Sequence, residues 1–232
     1  MPEYLRVSEI YPSVQGEGPK AGYPTLFVRF AGCNMRCPGW PCDTQHAIWP
    51  EIWRKESTKL GQGGLIKAII DECDRTGIRN ICYTGGEPFM QNINLLKEVV
   101  EELQNYGQEV FTNGSYDFPD WALQNLSIMM DWKLAGSGEE ETNVEERWEN
   151  ALKLYPSDGI KFVVKDEADL LEARQVYDAL IEARCDARFW VGSAWDHITS
   201  ADIVDYILGN KLPWSLNVQV HKYIWDPDER GV

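Results

Sequence analysis

The sequence lacks long apolar runs, and none approaches the roughly 20 residues that a membrane-spanning helix needs. Its first residues, Met1 to Arg6, also lack the basic-then-apolar pattern of a secretory signal. Both absences favour a cytoplasmic protein that does not associate with membranes.

Basic residues are scarce as well. The chain has 22 Lys and Arg against 37 Asp and Glu, which gives a formal net charge of -15. Proteins that coat nucleic acids need clustered Lys and Arg to displace phosphate counterions, so we expect no nucleic-acid partner. The 232 residues are 44% hydrophobic and show no internal repeat, which predicts a single domain over residues 1–232.

Six cysteines are too few for a disulfide scaffold in a chain of this size. Cys73, Cys82 and Cys185 each stand alone within a helix-like or strand-like pattern. Isolated cysteines of this kind are usually buried small hydrophobes, and we expect these three to be buried. The remaining three lie within ten positions of each other and need another explanation.

Short apolar, β-branched runs alternate with amphipathic helical patterns along the chain. The predicted strands are Thr25–Phe30, Asn80–Thr84, Glu109–Thr112, Ile128–Trp132, Gly159–Val164, Arg188–Val191 and Leu216–Val220. The predicted helices are Leu65–Cys73, Leu95–Leu103 and Asp169–Ala183. This alternation predicts an α/β fold with a mainly parallel sheet. Because the chain is short for an eight-stranded barrel of about 250 residues, we predict an incomplete (β/α) barrel.

Glycine and polar residues follow the ends of the predicted strands. Examples are Gly32-Cys33, Gly85 to Pro88, Asn113-Gly114, Lys133, Lys165-Asp166, Gly192-Ser193 and His221-Lys222. Ligands of parallel α/β folds bind at the carboxyl ends of the strands, so we expect these segments to converge on one site. The segments 61–64 and 135–143 are rich in glycine or charge, and we predict that both are mobile loops.

The three clustered cysteines, Cys33, Cys37 and Cys42, have the spacing C-x3-C-x4-C. Pro and Gly between them prevent a helix, so the loop can wrap around one metal centre. A four-iron cluster ordinarily takes four cysteines, and three would leave one iron open to a chelating cofactor. Zinc with His46 as a fourth ligand is the alternative, although structural zinc usually has C-x2-C pairs.

Together with Thr84-Gly85-Gly86-Glu87-Pro88, this loop resembles the radical S-adenosylmethionine superfamily. The superfamily pattern is usually C-x3-C-x2-C, so the loop is two residues longer here. The resemblance implies a radical S-adenosylmethionine core with a [4Fe-4S] cluster on Cys33, Cys37 and Cys42. It also implies that S-adenosylmethionine is cleaved to a 5′-deoxyadenosyl radical.

Four further segments narrow the resemblance: Ser13 to Gly18, Leu26 to Arg29, Cys42 to Thr44, and Gln219 to Tyr223. Over essentially the whole chain they resemble the 7-carboxy-7-deazaguanine synthase family. This resemblance implies a lyase of 7-deazapurine and queuosine biosynthesis that converts 6-carboxy-5,6,7,8-tetrahydropterin to 7-carboxy-7-deazaguanine with loss of ammonia. It further implies Mg²⁺, a flavodoxin or ferredoxin as electron donor, and a homodimer.

The same resemblance assigns site residues position by position. The expected S-adenosylmethionine contacts are Pro41, Asp43, Gly86, Glu87, Asp131, Trp132 and Lys133. The expected substrate contacts are Val14, Gln15, Gly16, Arg29, Thr84 and His221, and Thr44 is the expected Mg²⁺ ligand. The chemistry suits these roles, because a guanidinium binds a carboxylate in a bidentate manner and an amide matches a ring edge with donors and acceptors. We assign no general acid or base.

Other classes of protein share part of this pattern. A glycyl-radical activating enzyme would have the cysteine loop, but would not explain the segment from Gln15 to Gly18. A ferredoxin-type carrier would need a fourth cysteine ligand. A zinc or iron–sulfur binding module stays open as a third class, and a zinc protein would be colourless.

Overall fold

The computed structural model describes residues 2–40, 42–227 and 229–232. Its strands are β1 (Leu5–Val14), β2 (Pro24–Phe30), β3 (Thr58–Leu60), β4 (Asn80–Gly85), β5 (Gly107–Thr112), β6 (Ser127–Trp132), β7 (Gly159–Val164), β8 (Arg188–Ser193) and β9 (Ser215–Leu216). Across the described residues they form one sheet in the order β3-β1-β2-β4-β5-β6-β7-β8-β9. All neighbours from β2 to β9 are parallel, and β1 is antiparallel to both β2 and β3. The edge strands β3 and β9 are not paired with each other, so the predicted incomplete α/β barrel is confirmed.

Helices connect the parallel strands. They are α1 (Gln45–Ile48), α2 (Pro50–Glu56), α3 (Gln62–Thr76), α4 (Ile93–Glu102), α5 (Asp120–Asn125), α6 (Val144–Lys153), α7 (Glu167–Glu182), α8 (Ser200–Gly209) and α9 (His221–Ile224). Side-chain caps fix where several of them begin, and Asn92, Asp166 and Thr199 each accept from a backbone N–H of the first turn. Within the described part of the chain, every helix is too short or too polar to cross a membrane.

Two sequence expectations about local structure are wrong. The segment 61–64 is not a loop, because α3 begins at Gln62 and buries Leu65, Ile69 and Cys73 as one stripe. That burial outweighs the low helix propensity of the two glycines in the first turn. The last strand ends at Leu216 rather than Val220, since the chain then turns toward Gly16, whose carbonyl accepts from Val220 N–H at 3.0 Å.

The segment 135–143 differs from expectation in its packing. It contains a short 3-10 turn at Ala135–Ser137, in which Gly136 and Ser137 are buried. The carbonyl of Ser137 accepts from Gly39 N–H at 3.1 Å. The segment therefore packs against the cysteine loop, although the sequence predicts that it has little to bury.

Strand alternation decides which side chains reach the interior of the sheet. On β6, Ile128, Met130 and Trp132 belong to the hydrophobic core beneath the helices. The alternate residue Asp131 faces the other way, toward a cavity. The isolated cysteines Cys73, Cys82 and Cys185 are buried, which confirms that expectation.

The buried cation Arg147 attaches α6 to the end of β6. Its side chain is fully buried, and the guanidinium donates to the carbonyl of Lys133 at 2.9 Å and to that of Glu140. The same group lies over the Trp132 ring, 5.3 Å from its centre. The Arg147 side chain thus holds the backbone at the carboxyl end of β6, where Lys133 follows the strand.

We predict that Arg147→Leu lowers the free energy of unfolding by about 3 kcal/mol, because the backbone carbonyls of Lys133 and Glu140 lose a charged donor. Urea unfolding measures this change. The matched variant Arg54→Leu removes an exposed guanidinium from α2 and should change the free energy by less than about 0.5 kcal/mol. Equal effects of the two substitutions would contradict the role given to Arg147.

Candidate active site

A cavity of about 1230 Å³ lies on the interior face of the sheet. It is lined by most of the site residues expected from the sequence: Val14, Gln15, Gly16, Arg29, Cys33, Cys37, Cys42, Asp43, Thr44, Thr84, Gly86, Asp131, Lys133 and His221. Glu87 and Trp132 are described but do not line it. Pro41 lies outside the described residues. The cavity therefore joins the expected cofactor residues and the expected substrate residues in one space.

The cysteine loop is held by contacts from distant parts of the chain. Cys33 Sγ accepts from Asn113 Nδ2 at 3.7 Å, and Cys37 has a left-handed backbone with φ 45°. The backbone N–H groups of Arg36 and Cys37 both donate to Glu139 Oε1, at 2.6 and 3.4 Å. A carboxylate and an amide from distant segments therefore help to hold the loop in place.

The cysteine thiols fit a cluster of several iron atoms. All three are free, and they line one cavity. Burial raises the pKa of Cys33 to about 12 and also raises that of Cys37, so metal binding must displace protons from these thiols. Three soft sulfur donors suit iron–sulfur chemistry.

A mononuclear zinc site is not preformed. Among the described residues, no group of three Cys, His, Asp or Glu side chains is arranged to hold a single metal ion. His46, the fourth ligand in the zinc alternative, is buried with Nε2 3.3 Å from Glu9 Oε2. Glu9 Oε2 also pairs with Arg29, so the histidine lies near this expected substrate residue.

The Gly85-Gly86 turn packs directly on the backbone that precedes Cys33. Gly86 N–H donates to the Phe30 carbonyl and Glu87 N–H donates to the Gly32 carbonyl, each at 2.8 Å. Gly85 has φ 120°, and a Cβ on Gly86 would lie 1.9 Å from the oxygen of Gly32. Only glycine fits both positions, because one needs the left-handed region and the other has no space for a side chain.

Glu87 points into the protein rather than into the cavity. Its fully buried carboxyl accepts from Thr112 Oγ1 at 2.7 Å, from Asn113 N–H at 2.8 Å and from Phe89 N–H at 3.0 Å. Burial raises the pKa of Glu87 to about 7, although these hydrogen bonds oppose the shift. The resemblance predicts a contact with the ammonium of adenosylmethionine, whereas the geometry has Glu87 connecting the ends of β4 and β5.

Trp132 also differs from the expected role, and strand alternation is the reason. Its ring is buried on the helix side of β6 and meets Trp148 edge-on, with ring centres 6.2 Å apart. Asp131 and Lys133, one residue to either side, line the cavity instead.

Four charged side chains alternate in sign along the cavity wall. Lys133 Nζ lies 2.9 Å from Asp131 Oδ2, and Lys161 Nζ lies 3.7 Å from the same oxygen and 2.7 Å from Glu17 Oε2. Burial alone would lower the pKa of both lysines, but the neighbouring carboxylates raise it, so both stay charged. Asp131 Oδ1 is buried without a hydrogen-bond partner.

Lys161 and Glu17 are absent from the sequence-based set of site residues. A sequence signal for Lys161 does exist, because it interrupts the apolar run Gly159–Val164. A lysine inside a buried strand needs an acidic partner. The identity of that partner, 144 positions away, depends on the folded chain.

Arg29, an expected substrate residue, lines the same cavity. Arg29 donates from Nε to Glu9 Oε2 at 3.0 Å and from a terminal nitrogen to Tyr11 Oη at 2.6 Å. These contacts fix the plane of the guanidinium. Although burial acts in the opposite direction, hydrogen bonding to His46 and the charge of Arg29 lower the pKa of Glu9.

The segment after β1 approaches the cavity from the opposite end of the sheet. Because β1 is antiparallel, Val14 pairs with Pro24 at the start of β2, whereas Cys33 follows the end of β2. Gly16 packs against His221, and a Cβ on Gly16 would lie 2.4 Å from the His221 Nδ1. The carboxyl ends of the parallel strands therefore supply only part of the site.

The chain after β9 closes the cavity near the cysteine loop. Asp43 accepts from Gln219 Nε2 at 2.9 Å and from Lys222 Nζ at 2.8 Å. Burial by itself would raise the pKa of Asp43, but the charge of Lys222 and these hydrogen bonds lower it. The final residues 229–232 line the cavity too, with Arg230 3.4 Å from Glu56.

Comparison with known proteins gives matches over most or all of the chain. A family described as a 4Fe-4S single cluster domain matches residues 14–151. A 7-carboxy-7-deazaguanine synthase from Clostridium acetobutylicum is 32% identical over 231 residues, which cover 98% of this chain and 99% of that protein. One from Hyperthermus butylicus is 41% identical over 179 residues, covering 74% of this chain and 70% of that protein.

The crystal structure of QueE from Escherichia coli has a similar fold. The TM-score is 0.70 at 19% sequence identity, and the match covers 93% of this chain and 94% of that one. At this identity the likeness supports the incomplete barrel, while the sequence relatives support the family.

We predict that Gly39→Ala weakens cluster binding, because its Cβ would lie 1.7 Å from the Gly136 carbonyl oxygen and the loop would have to move. After anaerobic reconstitution, iron per chain should fall below about half of the wild-type value. Gly63→Ala is the matched control, since its Cβ meets nothing within 4 Å. Wild-type iron content in Gly39→Ala would contradict this account of the loop.

The raised pKa of Glu87 predicts a pH-dependent stability. The folded protein keeps the proton up to about pH 7, whereas the unfolded chain loses it near pH 4.5, so stability falls as the pH rises between these values. Relative to Glu87→Gln, the free energy of unfolding of the wild-type apoprotein should decrease by about 3 kcal/mol across this window. Urea unfolding at several pH values measures the difference, and parallel profiles would disprove it.

Proposed function

The chain belongs to the 7-carboxy-7-deazaguanine synthase family of radical S-adenosylmethionine enzymes, and from this premise we propose how its own residues convert 6-carboxy-5,6,7,8-tetrahydropterin to 7-carboxy-7-deazaguanine with loss of ammonia. The reaction belongs to 7-deazapurine biosynthesis and uses an iron–sulfur cluster with S-adenosylmethionine. One observation carries the assignment of the site: the three clustered cysteines and the expected substrate residues line the same cavity.

Cys33, Cys37 and Cys42 would hold the cluster, and one iron would be left for adenosylmethionine. When bound, the two groups supply one-electron chemistry that produces a carbon radical. Lys133 lies near the cysteine loop, where its charge acts on Cys37 and Cys42. This cation would offset part of the negative charge of a thiolate-bound cluster.

The adenosylmethionine contacts in this proposal are Asp43, Gly86, Asp131 and Lys133, all of which line the cavity. Asp131 Oδ1 is a buried acceptor without a donor, so it suits an ammonium or hydroxyl of the cofactor. Glu87 acts indirectly in this proposal, by holding the Gly85-Gly86 turn and Asn113 in place. Trp132 likewise acts by packing behind Asp131, and Pro41 stays a prediction from the resemblance.

Arg29 would bind the substrate carboxylate. Glu9 and Tyr11 hold its guanidinium in one plane, which prepares it for a bidentate partner. Val14, Gln15, Gly16, Thr84 and His221 would surround the ring system. Burial lowers the pKa of His221, so this side chain would be a neutral hydrogen-bond partner at pH 7.

Thr44 would supply one oxygen to Mg²⁺. Its Oγ1 lies 3.5 Å from Cys42 Sγ and donates to the Gly85 carbonyl at 3.3 Å. Mg²⁺ retains several waters and takes few protein ligands, so one hydroxyl and the substrate carboxylate would suffice. Placed there, the ion would orient the carboxylate and stabilise negative charge as a Lewis acid.

The remaining parts of the proposal have two sources. The sequence itself predicts a single domain over residues 1–232 and a cytoplasmic location. The family resemblance implies a homodimer and reduction by a flavodoxin or ferredoxin.

Anaerobic incubation tests the proposed function. With adenosylmethionine, Mg²⁺, a reductant and 6-carboxytetrahydropterin, the reconstituted enzyme should form 5′-deoxyadenosine and 7-carboxy-7-deazaguanine, both detected by mass spectrometry. Cys37→Ala should abolish both products, because the cluster loses one of three ligands. The matched variant Cys73→Ala removes a thiol that is buried outside the cavity and should retain both.

Two results would count against the proposal. Continued 5′-deoxyadenosine formation by Cys37→Ala would show that Cys37 is not a ligand of the cluster. If the wild-type enzyme forms 5′-deoxyadenosine but no deazapurine, the radical chemistry stands and the substrate assignment is overturned.

A further inference from the structure

Glu109 is a buried acid that the proposed function does not use. It lies on β5, its exposed fraction is 3%, and it is not among the residues that line the cavity. Its Oε1 accepts from Gln15 Nε2 at 2.6 Å and from Asn80 Nδ2 at 3.2 Å, and its Oε2 lies 3.5 Å from Lys20 Nζ. Two side-chain amide donors and one cation therefore surround the carboxylate.

The contact with Glu109 determines how the Gln15 amide is turned. A carboxylate can only accept hydrogen bonds, so the nitrogen of the amide must face Glu109. The oxygen of the amide is then on the other side, where it accepts from Glu17 N–H at 3.3 Å and keeps a second lone pair. Gln15 itself lines the cavity.

Neighbouring contacts hold the Gln15 backbone in place, so the backbone cannot move to compensate if the side-chain amide flips. Gln15 N–H donates to the Tyr23 carbonyl at 2.8 Å. Gly16 accepts from Val220 N–H at 3.0 Å, and Glu17 pairs with Lys161 at 2.7 Å. With the backbone held on both sides, the orientation of the amide depends on the carboxylate behind it.

We propose that Glu109 is a positioning residue that presents the oxygen of Gln15 to the substrate, so that this part of the pocket selects a ring N–H. The proposal rests on the proposed function, in which Gln15 contacts the pterin ring. A ring with an acceptor at this position would meet the lone pair of Gln15 Oε1 and bind poorly.

Exchange of the two functional groups tests the proposal. Glu109→Gln removes the group that dictates the amide orientation, and the KM for 6-carboxytetrahydropterin should rise about tenfold. Gln15→Glu brings two carboxylates together and should cost about 100-fold in kcat/KM. The double variant Gln15→Glu/Glu109→Gln restores one donor and one acceptor, still with an acceptor toward the cavity, so its KM should return to within about threefold of wild type.

All variants are measured as reconstituted holoenzyme, with the dissociation constant of adenosylmethionine as a second readout. That constant should change less than about twofold in each variant, because Glu109 and Gln15 act on the substrate alone. The matched control is Asp158→Asn, a buried acid outside the cavity that accepts from the N–H groups of Ile128 and Tyr155, each at 2.9 Å. It should lower the stability and leave the KM unchanged.

An unchanged KM in Glu109→Gln, or a double variant no better than Gln15→Glu, would overturn the proposal. Absence of deazapurine from the wild-type reaction would instead overturn the proposed function. In that case urea unfolding still tests the contact between Glu109 and Gln15, because the double variant must recover most of the stability that Gln15→Glu loses. Failure to recover it would refute the Glu109–Gln15 interaction itself.

Discussion

The close contact between the Gly85-Gly86 turn and Gly32 is the constraint on which the candidate site depends. A Cβ on Gly86 would lie 1.9 Å from the Gly32 oxygen. The end of β4 can therefore approach the end of β2 this closely only if residue 86 is glycine. This approach brings Glu87 beneath Asn113, and Asn113 Nδ2 lies 3.7 Å from Cys33 Sγ. The first cysteine is therefore positioned by backbone packing and, through Asn113, by one buried carboxyl.

A second constraint comes from charge. The chain carries a formal net charge of -15, yet two lysines with exposed side-chain fractions of only 11% (Lys133) and 9% (Lys161) line its cavity. Removal of a buried charge from water is costly unless the charge is paired, and Lys133, Asp131, Lys161 and Glu17 form an electrically neutral series. Such a wall can face both a sulfonium cofactor and a carboxylate substrate without strongly repelling either. The excess negative charge of the chain therefore does not extend to this part of the cavity wall.

The parts of the fold that the sequence predicts are those that depend on local pattern. The spacing of Cys33, Cys37 and Cys42, the apolar strand runs and the turn after β4 all follow from neighbouring residues, and the structure brings their side chains to one cavity. The sequence misses features that depend on distant pairing. Glu87 turns inward because Thr112 and Asn113 supply its donors, and α3 begins early because its buried stripe packs on the sheet. Local propensity contains no information about either partner.

The antiparallel strand β1 explains how one cavity can serve two ligands. A purely parallel sheet offers its loops only at the carboxyl ends of the strands, and here those ends supply the cysteine loop, Thr84 and Lys133. Because β1 runs the other way, its own carboxyl end brings Gln15 and Gly16 in from the opposite side. Ligands held from both directions are fixed in position relative to each other, and a radical reaction requires this proximity because the reacting carbons must come into contact. Reversal of the single strand β1 thus gives a mainly parallel sheet a site with contacts from both directions.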